Sequence, residues 1–285
     1  MKNFKTLAVV FTAATLSVFT SCEKESSEDV VDHSSQEISK DVLNKVTELH
    51  FNPNGIEKGM VRDIDGSQKM MYTLEGDIKM SYDQIMKMNI GEGVQSKQYR
   101  SNNLVNTPKT IRVVGYNGNN RFGLSSVAQR GLQYAIANYN ALNIDIQLNL
   151  VFSTSFNSSD ILVYTETTAS VILQDGVRGV AGFPSGGEPF KRVKINGGAN
   201  TNNDDQLLEG LFTHELGHCF GLRHTDWNTR QSCGQSGESA GSTGATHIPG
   251  TPGASQDSSS IMNACFPYNE GEFGQYDKVA LEYLY

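Results

Sequence analysis

The chain has 285 residues, 38% of them hydrophobic and 19% charged, enough apolar material for one sizeable folded body with a small extra module. Lys and Arg total 23 against 31 Asp and Glu; the net charge of −8 excludes a generic nucleic-acid binder, which needs a basic footprint. Four cysteines are too few for a disulfide scaffold, and 28 glycines with 7 prolines fit neither a collagen-like nor a Pro-rich chain.

Residues 1–21 read as an address rather than as structure. Lys2 and Lys5 precede the apolar run Leu7–Phe19, which is shorter than the roughly 18–20 residues a spanning helix needs. Thr20, Ser21 and Cys22 follow, and the whole resembles a bacterial lipoprotein signal, in which cleavage precedes a cysteine that is then acylated. The resemblance implies an exported bacterial lipoprotein of the outer membrane or cell surface, held to the membrane by lipid on Cys22. Residues 22–40 are polar and acidic and read as a flexible tether.

Residues 41–107 form an N-terminal pro-region or accessory module plus a linker. Val42, Val46 and Leu49 have helical spacing, Met71 to Ile78 alternates like one strand, and Tyr82 to Met88 suggests another short helix. Asn89 to Thr107 is rich in Gly, Ser, Asn and Gln and reads as the linker, closed by Pro108.

Residues 108–285 carry stronger signals. Ile111–Val114, Ile144–Phe152, Ile161–Tyr164 and Arg192–Asn196 read as strands, with a loose edge strand expected within the Gly-rich stretch from Val177 to Phe190. Leu124–Leu142 and Asp204–Phe220 have helical apolar spacing; Ser125 or Ser126 would cap the first, and Asn202, Asn203 or Asp204 the second. Gln231 to Ser260 is a long loop of Gly, Ser and Thr, of a kind that is functional or pinned. Phe273 to Tyr285 reads as a C-terminal helix.

One stretch decides the chemistry: His214-Glu215-Leu216-Gly217-His218-Cys219-Phe220-Gly221-Leu222-Arg223-His224. Residues four apart stack on one helix face, so His214 and His218 can grip one metal ion. Zinc accepts imidazole nitrogen and is usually four-coordinate. Gly221 can take a left-handed conformation, end the helix, and let the chain turn back to deliver His224 as a third ligand. The fourth place then stays open for water and substrate. Glu215, beside His214, is free to act as general base.

This pattern, with the downstream Ser260-Ile261-Met262-Asn263, resembles the metzincin zinc proteases. Closer still is the similarity to the bacterial dual-action HEIGH metallopeptidases, carried by His214–Asp226, His247–Pro252 and Ser260–Phe266 and covering roughly residues 105–285. Leu216 stands where the family name has Ile. The resemblance implies an α+β, metzincin-like zincin: a twisted, mostly parallel sheet with an antiparallel edge strand, two long helices, and a small C-terminal subdomain with a Met-turn at Met262 and a C-terminal helix. It implies one catalytic zinc on His214, His218 and His224, Glu215 as base, and a monomeric endopeptidase for extracellular proteins or peptides laid along the edge strand. Some metzincins place a tyrosine ligand where this chain has Ala264; Tyr268 is a candidate to reach the oxyanion instead.

Cys233 and Cys265 flank the long loop and are expected to pair in an exported protein, with pairing of either to Cys219 as the alternative. Asp226 would hold a backbone group or a histidine, or else is an exposed turn residue. Asn117–Asn120 and Asn200–Asp205 carry calcium-type oxygen ligands, but both stretches read first as turns and a helix cap. Asp63 or Asp65 is the expected group if the pro-region blocks the open zinc position, which would resemble an aspartate-switch zymogen. Two other functions fit the same signals: a non-catalytic surface-binding lipoprotein, and a zinc amidase acting on cell-wall peptides.

Overall fold

The N-terminal module is a small antiparallel sheet with two helices. Helix α1 (Lys40–Glu48) leads into strands β1 (Glu57–Arg62), β2 (Gln68–Leu74) and β3 (Ile78–Met80), joined in that order, and helix α2 (Tyr82–Lys87) closes it. Its own core gathers Val42, Val46, Phe51, Leu74, Ile78 and Ile85, and also Phe183 from the distant edge of the main sheet. The single strand expected over Met71–Ile78 is instead a hairpin. Glu75 and Gly76 adopt left-handed φ values of 53° and 95°, which no strand accommodates, and the chain reverses there.

Strand β4 (Tyr99–Arg100) pairs with the distant β10 (Thr246–His247). The stretch after β4 is pinned to the main body of the protein: Ser101 N–H donates to Gly221 O at 2.7 Å, Asn106 N–H to Gly187 O at 2.9 Å, and Val105 is buried in the main core.

The main sheet has five strands, β5 (Lys109–Tyr116), β6 (Ile146–Ser153), β7 (Ile161–Glu166), β8 (Gly179–Val180) and β9 (Arg192–Asn196), in the order β6-β5-β7-β9-β8. All neighbours are parallel except the edge strand β8, which runs antiparallel to β9. Alternate residues sort onto its two faces. Ile111, Val113, Ile161 and Val163 meet α3 (Ser126–Asn140) and, beyond the short α4 (Gly197–Asn200), α5 (Asp205–Cys219). Val114, Tyr116, Leu162 and Tyr164 form a second, smaller cluster on the opposite face. A short 3-10 turn (Gln231–Cys233) and helix α6 (Gln275–Leu284) complete the described elements.

Local polar chemistry fixes the helix starts. Ser125 Oγ accepts the Ala128 N–H at 3.1 Å, and Asp204 Oδ1 accepts the Gln206 and Leu207 N–H groups, each at 3.1 Å. Asn120 Oδ1 and Asn200 Oδ1 likewise accept the N–H groups of Phe122 and Ser125, the turn and cap roles that compete with cation binding.

This computed structural model describes residues 37–49, 51–88, 99–166, 178–200, 203–227, 230–234, 246–251, 257–265 and 271–285. The signal segment with Cys22, the tether up to residue 36, and Tyr268 lie outside the described residues. The N-terminal module and the main sheet belong to one compact unit, His33–Tyr285. Among the described residues no helix is long and apolar enough to cross a membrane.

Helices α3 and α5 cross so closely that Gly131 has no room for a side chain. A Cβ there would lie 2.7 Å from Leu208 Cβ, 2.9 Å from Glu209 N and 3.0 Å from Asp205 O, and two of these are backbone atoms that cannot swing away. Gly131→Ala is therefore expected to lower stability by about 1–3 kcal/mol, the usual range for overpacking. Urea unfolding measures this; an unchanged midpoint would mean the two helices are not in such close contact.

Candidate metal centre

Helix α5 is buried around its whole circumference from Gly210 to Cys219, so its polar side chains there have no access to bulk water. It stops because Gly221, at φ 95°, reverses the chain. Leu222 N–H reaches back to Gly217 O at 2.9 Å and Gly221 N–H to His218 O at 2.8 Å, the paired bonds of a Schellman end. A Cβ at Gly221 would meet Asn103 O at 2.9 Å. The reversal brings His224 back beside the helix.

Three imidazoles converge as a result. Ring centroids lie 4.8 Å apart for His214 and His218, 4.9 Å for His218 and His224, and 5.3 Å for His214 and His224. His214 Nδ1 faces Ile261 O at 2.7 Å and His218 Nδ1 faces Leu222 O at 2.8 Å. A carbonyl oxygen only accepts, so each Nδ1 carries the proton and each Nε2 offers a lone pair. The two Nε2 atoms nevertheless stand 3.2 Å apart. Burial and the neighbouring imidazoles hold His218 well below the usual histidine range. Lone pairs directed at one another in a buried site require a cation between them, and the donor set, neutral imidazole nitrogen, suits zinc.

A fourth group completes the cluster. Asp77, in the hairpin between β2 and β3, joins His214, His218 and His224 in a set whose ligand atoms all lie within 4.8 Å of one another. Asp77 Oδ2 is 3.0 Å from His224 Nε2 and 3.7 Å from His214 Nε2. Asp77 Oδ1 and Glu215 Oε2 are buried with no protein donor among the described residues, as expected of oxygens that face a metal ion or its water. Burial, and then the Asp77 charge, raises the Glu215 carboxyl well above the usual range. Two carboxylates flank His224, Glu75 Oε2 on Nδ1 at 3.2 Å and Asp77 on Nε2, and they push its pKa up to about 10 against the opposing effect of burial.

The surroundings fix these rings. Asp277 of α6 accepts Ser260 Oγ–H at 2.7 Å and Ile261 N–H at 2.8 Å, and Ile261 O in turn receives His214 Nδ1–H. Met262 is buried, and a Cβ on Gly217 would lie 2.5 Å from its sulfur, so the methionine packs directly under α5. Met262 O accepts the Thr225 N–H at 2.8 Å, tying this segment to the residue after His224. Asp226 holds backbone rather than a histidine: it accepts Ala264 N–H and Ser232 N–H, each at 2.8 Å. Cys233 and Cys265 are disulfide-bonded. Cys219 is free and buried, with its thiol pushed up by burial, so the alternative pairings are overturned.

The carboxylates expected at the open position are elsewhere. Asp63 pairs with Arg192 at 2.7 Å and accepts Tyr164 Oη–H at 2.7 Å, while Asp65 caps the turn at Ser67. Sequence reading missed Asp77, Glu75 and Arg223. The available signal was Glu75-Gly76-Asp77, two acids around a glycine inside an otherwise apolar run, which marks a turn rather than a strand.

The buried histidine triad at the end of α5, with Asp77, is a set that could hold a metal ion, and Glu215 stands on the residue after His214. The chain matches the profile of the dual-action HEIGH metallo-peptidases over residues 72–285, and it belongs to that family, which implies a zinc ion. No curated protein matches the chain. Two solved structures of myroilysin align at 16% identity. The first covers 67% of this chain and 88% of its own with a TM-score of 0.36. The second covers 61% and 78% with a TM-score of 0.37. That likeness is too distant to carry an argument.

A bound cation would compensate this cluster of lone pairs and carboxylates. Dialysis against a chelator is expected to lower the melting temperature, and zinc to restore it; zinc at 100 times its dissociation constant is worth about 2.7 kcal/mol. A melting temperature indifferent to both treatments would count against a metal centre.

Proposed function

We propose that this protein is a zinc endopeptidase of metzincin type that hydrolyses extracellular proteins or peptides. The observation that carries the reading is the three buried imidazoles whose outer nitrogens are committed to fixed acceptors and whose inner nitrogens face one point. His214, His218 and His224 hold the ion, and Met262 is the floor beneath it. When bound, zinc supplies Lewis acidity, making water a nucleophile at neutral pH and polarising a carbonyl.

The chain's own residues do the rest. Glu215 removes a proton from the attacking water and returns it to the leaving amine. The edge strand β8 offers backbone groups to an extended peptide. It also touches the base: a Cβ on Gly179 would lie 2.5 Å from Glu215 Oε1, so this glycine leaves the carboxylate its place. We further propose that the protein acts as a monomer, exported and anchored through Cys22.

Glu215→Gln is expected to retain zinc and lose roughly 10²–10⁴-fold in peptide cleavage. Undiminished cleavage of a peptide library by a zinc-loaded variant would overturn the assignment. Gly179→Ala tests the same base from outside the motif. A Cβ there would also lie 2.9 Å from Glu215 Cδ and Cγ, so the whole carboxyl arm must shift; with zinc content checked as a control, cleavage is expected to fall by about tenfold or more, in line with the sensitivity of catalysis to small misplacements. Equal cleavage by this variant would show that Glu215 does not need that space.

A further inference from the structure

The sheet edge that borders the metal centre borders a second space on its other face. Side chains alternate along β8: a Cβ on Gly179 would point at Glu215, whereas Val180 pairs with Lys194 of β9. Val193 and Ile195 belong to the main core with α5, and Lys194 between them lies 5.2 Å from the Tyr164 ring centre, on the far face of the sheet. There the N-terminal module and the sheet edge enclose a cavity of about 330 Å³, at the small end of the range that holds organic ligands. None of His214, Glu215, His218 and His224 lines it. Phe183 is the shared wall, with its ring centre 5.8 Å from that of His218.

Two buried ammonium groups line this cavity. Lys79 of β3 is 6% exposed and Lys194 is 5% exposed. Lysine is almost never buried without an anionic partner. Yet Lys79 Nζ donates to the Thr73 hydroxyl and Lys194 Nζ to Arg62 O at 3.2 Å, both uncharged acceptors. An ammonium has three donors, so each keeps capacity for a further acceptor. The two acids in the lining are engaged elsewhere, Asp63 with Arg192 at 2.7 Å and Glu188 with Lys109 at 2.6 Å. Burial holds the Lys194 ammonium below its usual range, and the charges of Asp63 and Glu166 do not offset it.

Two more lysines, Lys69 and Lys191, are exposed at the rim. Much of the inner wall is apolar: Val180, Phe183 and Pro189 are buried, and Met71 and Phe190 partly so. A small hydrated ion would leave these walls unused. A neutral ligand would leave the two ammonium groups uncompensated.

We propose that this cavity is a binding site for an organic monocarboxylate, with its charge against Lys79 and Lys194 and its apolar body against Val180 and Phe183. The site stands apart from the metal centre and does not rest on the peptidase reading. The carboxylate can belong to a free acid with an apolar tail or to the C-terminus of a peptide.

Calorimetric titration of octanoate into the full-length protein with zinc added tests the site. Saturable binding of one octanoate per chain is expected. Octanamide, which lacks the charge, and inorganic phosphate, which lacks the apolar body, should each bind at least about tenfold more weakly. Lys79→Met and Lys194→Met keep a long side chain without the charge. Each should weaken octanoate binding about 10- to 100-fold, the worth of one hydrogen bond to a charged group. Neither should lower the melting temperature of the free protein, because a buried charge without an anionic partner has been removed; either variant suffices if the other does not fold. A tripeptide ending in leucine, compared with its C-terminal amide, separates the two sources. Tighter binding than octanoate assigns the site to peptide C-termini, and weaker binding assigns it to free acids. Octanoate that binds both variants as tightly as wild type, or phosphate and octanamide that match it, would overturn the site. So would the absence of saturable binding by both octanoate and the tripeptide. A chain that takes up no zinc but binds octanoate in this pattern would overturn the peptidase reading and leave the carboxylate site standing.

Discussion

Proton placement on three imidazoles governs the centre. Each outer nitrogen meets an acceptor, Ile261 O, Leu222 O or a Glu75 carboxylate oxygen, and so keeps its proton away from the shared point. The inner nitrogens are then left as acceptors with nothing but one another and Asp77 to face. Hydrogen bonding alone cannot satisfy that arrangement; a cation can. The three outer acceptors belong to three different parts of the chain. Ile261 is set by Asp277 of α6, Leu222 by the reversal at Gly221, and Glu75 by the hairpin of the N-terminal module. The centre is therefore a convergence of separately anchored pieces, and the fold's job is to keep them in register.

That requirement explains why α5 sits inside the protein rather than on it. A surface helix would expose one face and let water compete for each imidazole. Tyr139 fills the space behind it, donating Oη–H to Thr213 O at 2.8 Å and stacking edge-on against Phe220 and Phe273. The Tyr285 hydroxyl hydrogen-bonds to Phe220 O at the helix end, so the last residue of the chain helps satisfy a carbonyl freed where the helix stops. Helix, Met262 segment and C-terminal helix thus form one rigid backing for the histidines.

Much of this was legible in the sequence because it is local. Spacing of four along a helix, a glycine three residues later and a third histidine beyond it carry their geometry with them. So do the alternating strands, Ile146–Ser153 most clearly, and the caps at Ser125 and Asp204. What escaped is long-range. Asp77 lies 147 residues from His224, and no periodicity links them. The alternation of Met71 to Ile78 concealed a reversal, because Glu75 in a left-handed conformation is a choice that its partners Arg223 and Arg230 enforce rather than one its own preferences announce. Val105 escaped for a similar reason: a polar stretch reads as linker, yet one valine in it is buried against the main sheet's core. Composition averages over such anchors.

The buried Glu75–Arg223 pair gives the contact between the hairpin tip and the segment after α5 a particular energetic character. Taking both charges out of water costs most of what their attraction returns, so a buried pair adds little net adhesion. Removing one partner alone is expensive, because the other is then stranded. Docking is therefore strict about register while the net hold stays modest. An apolar contact of the same size would hold more tightly, but it would not orient His224.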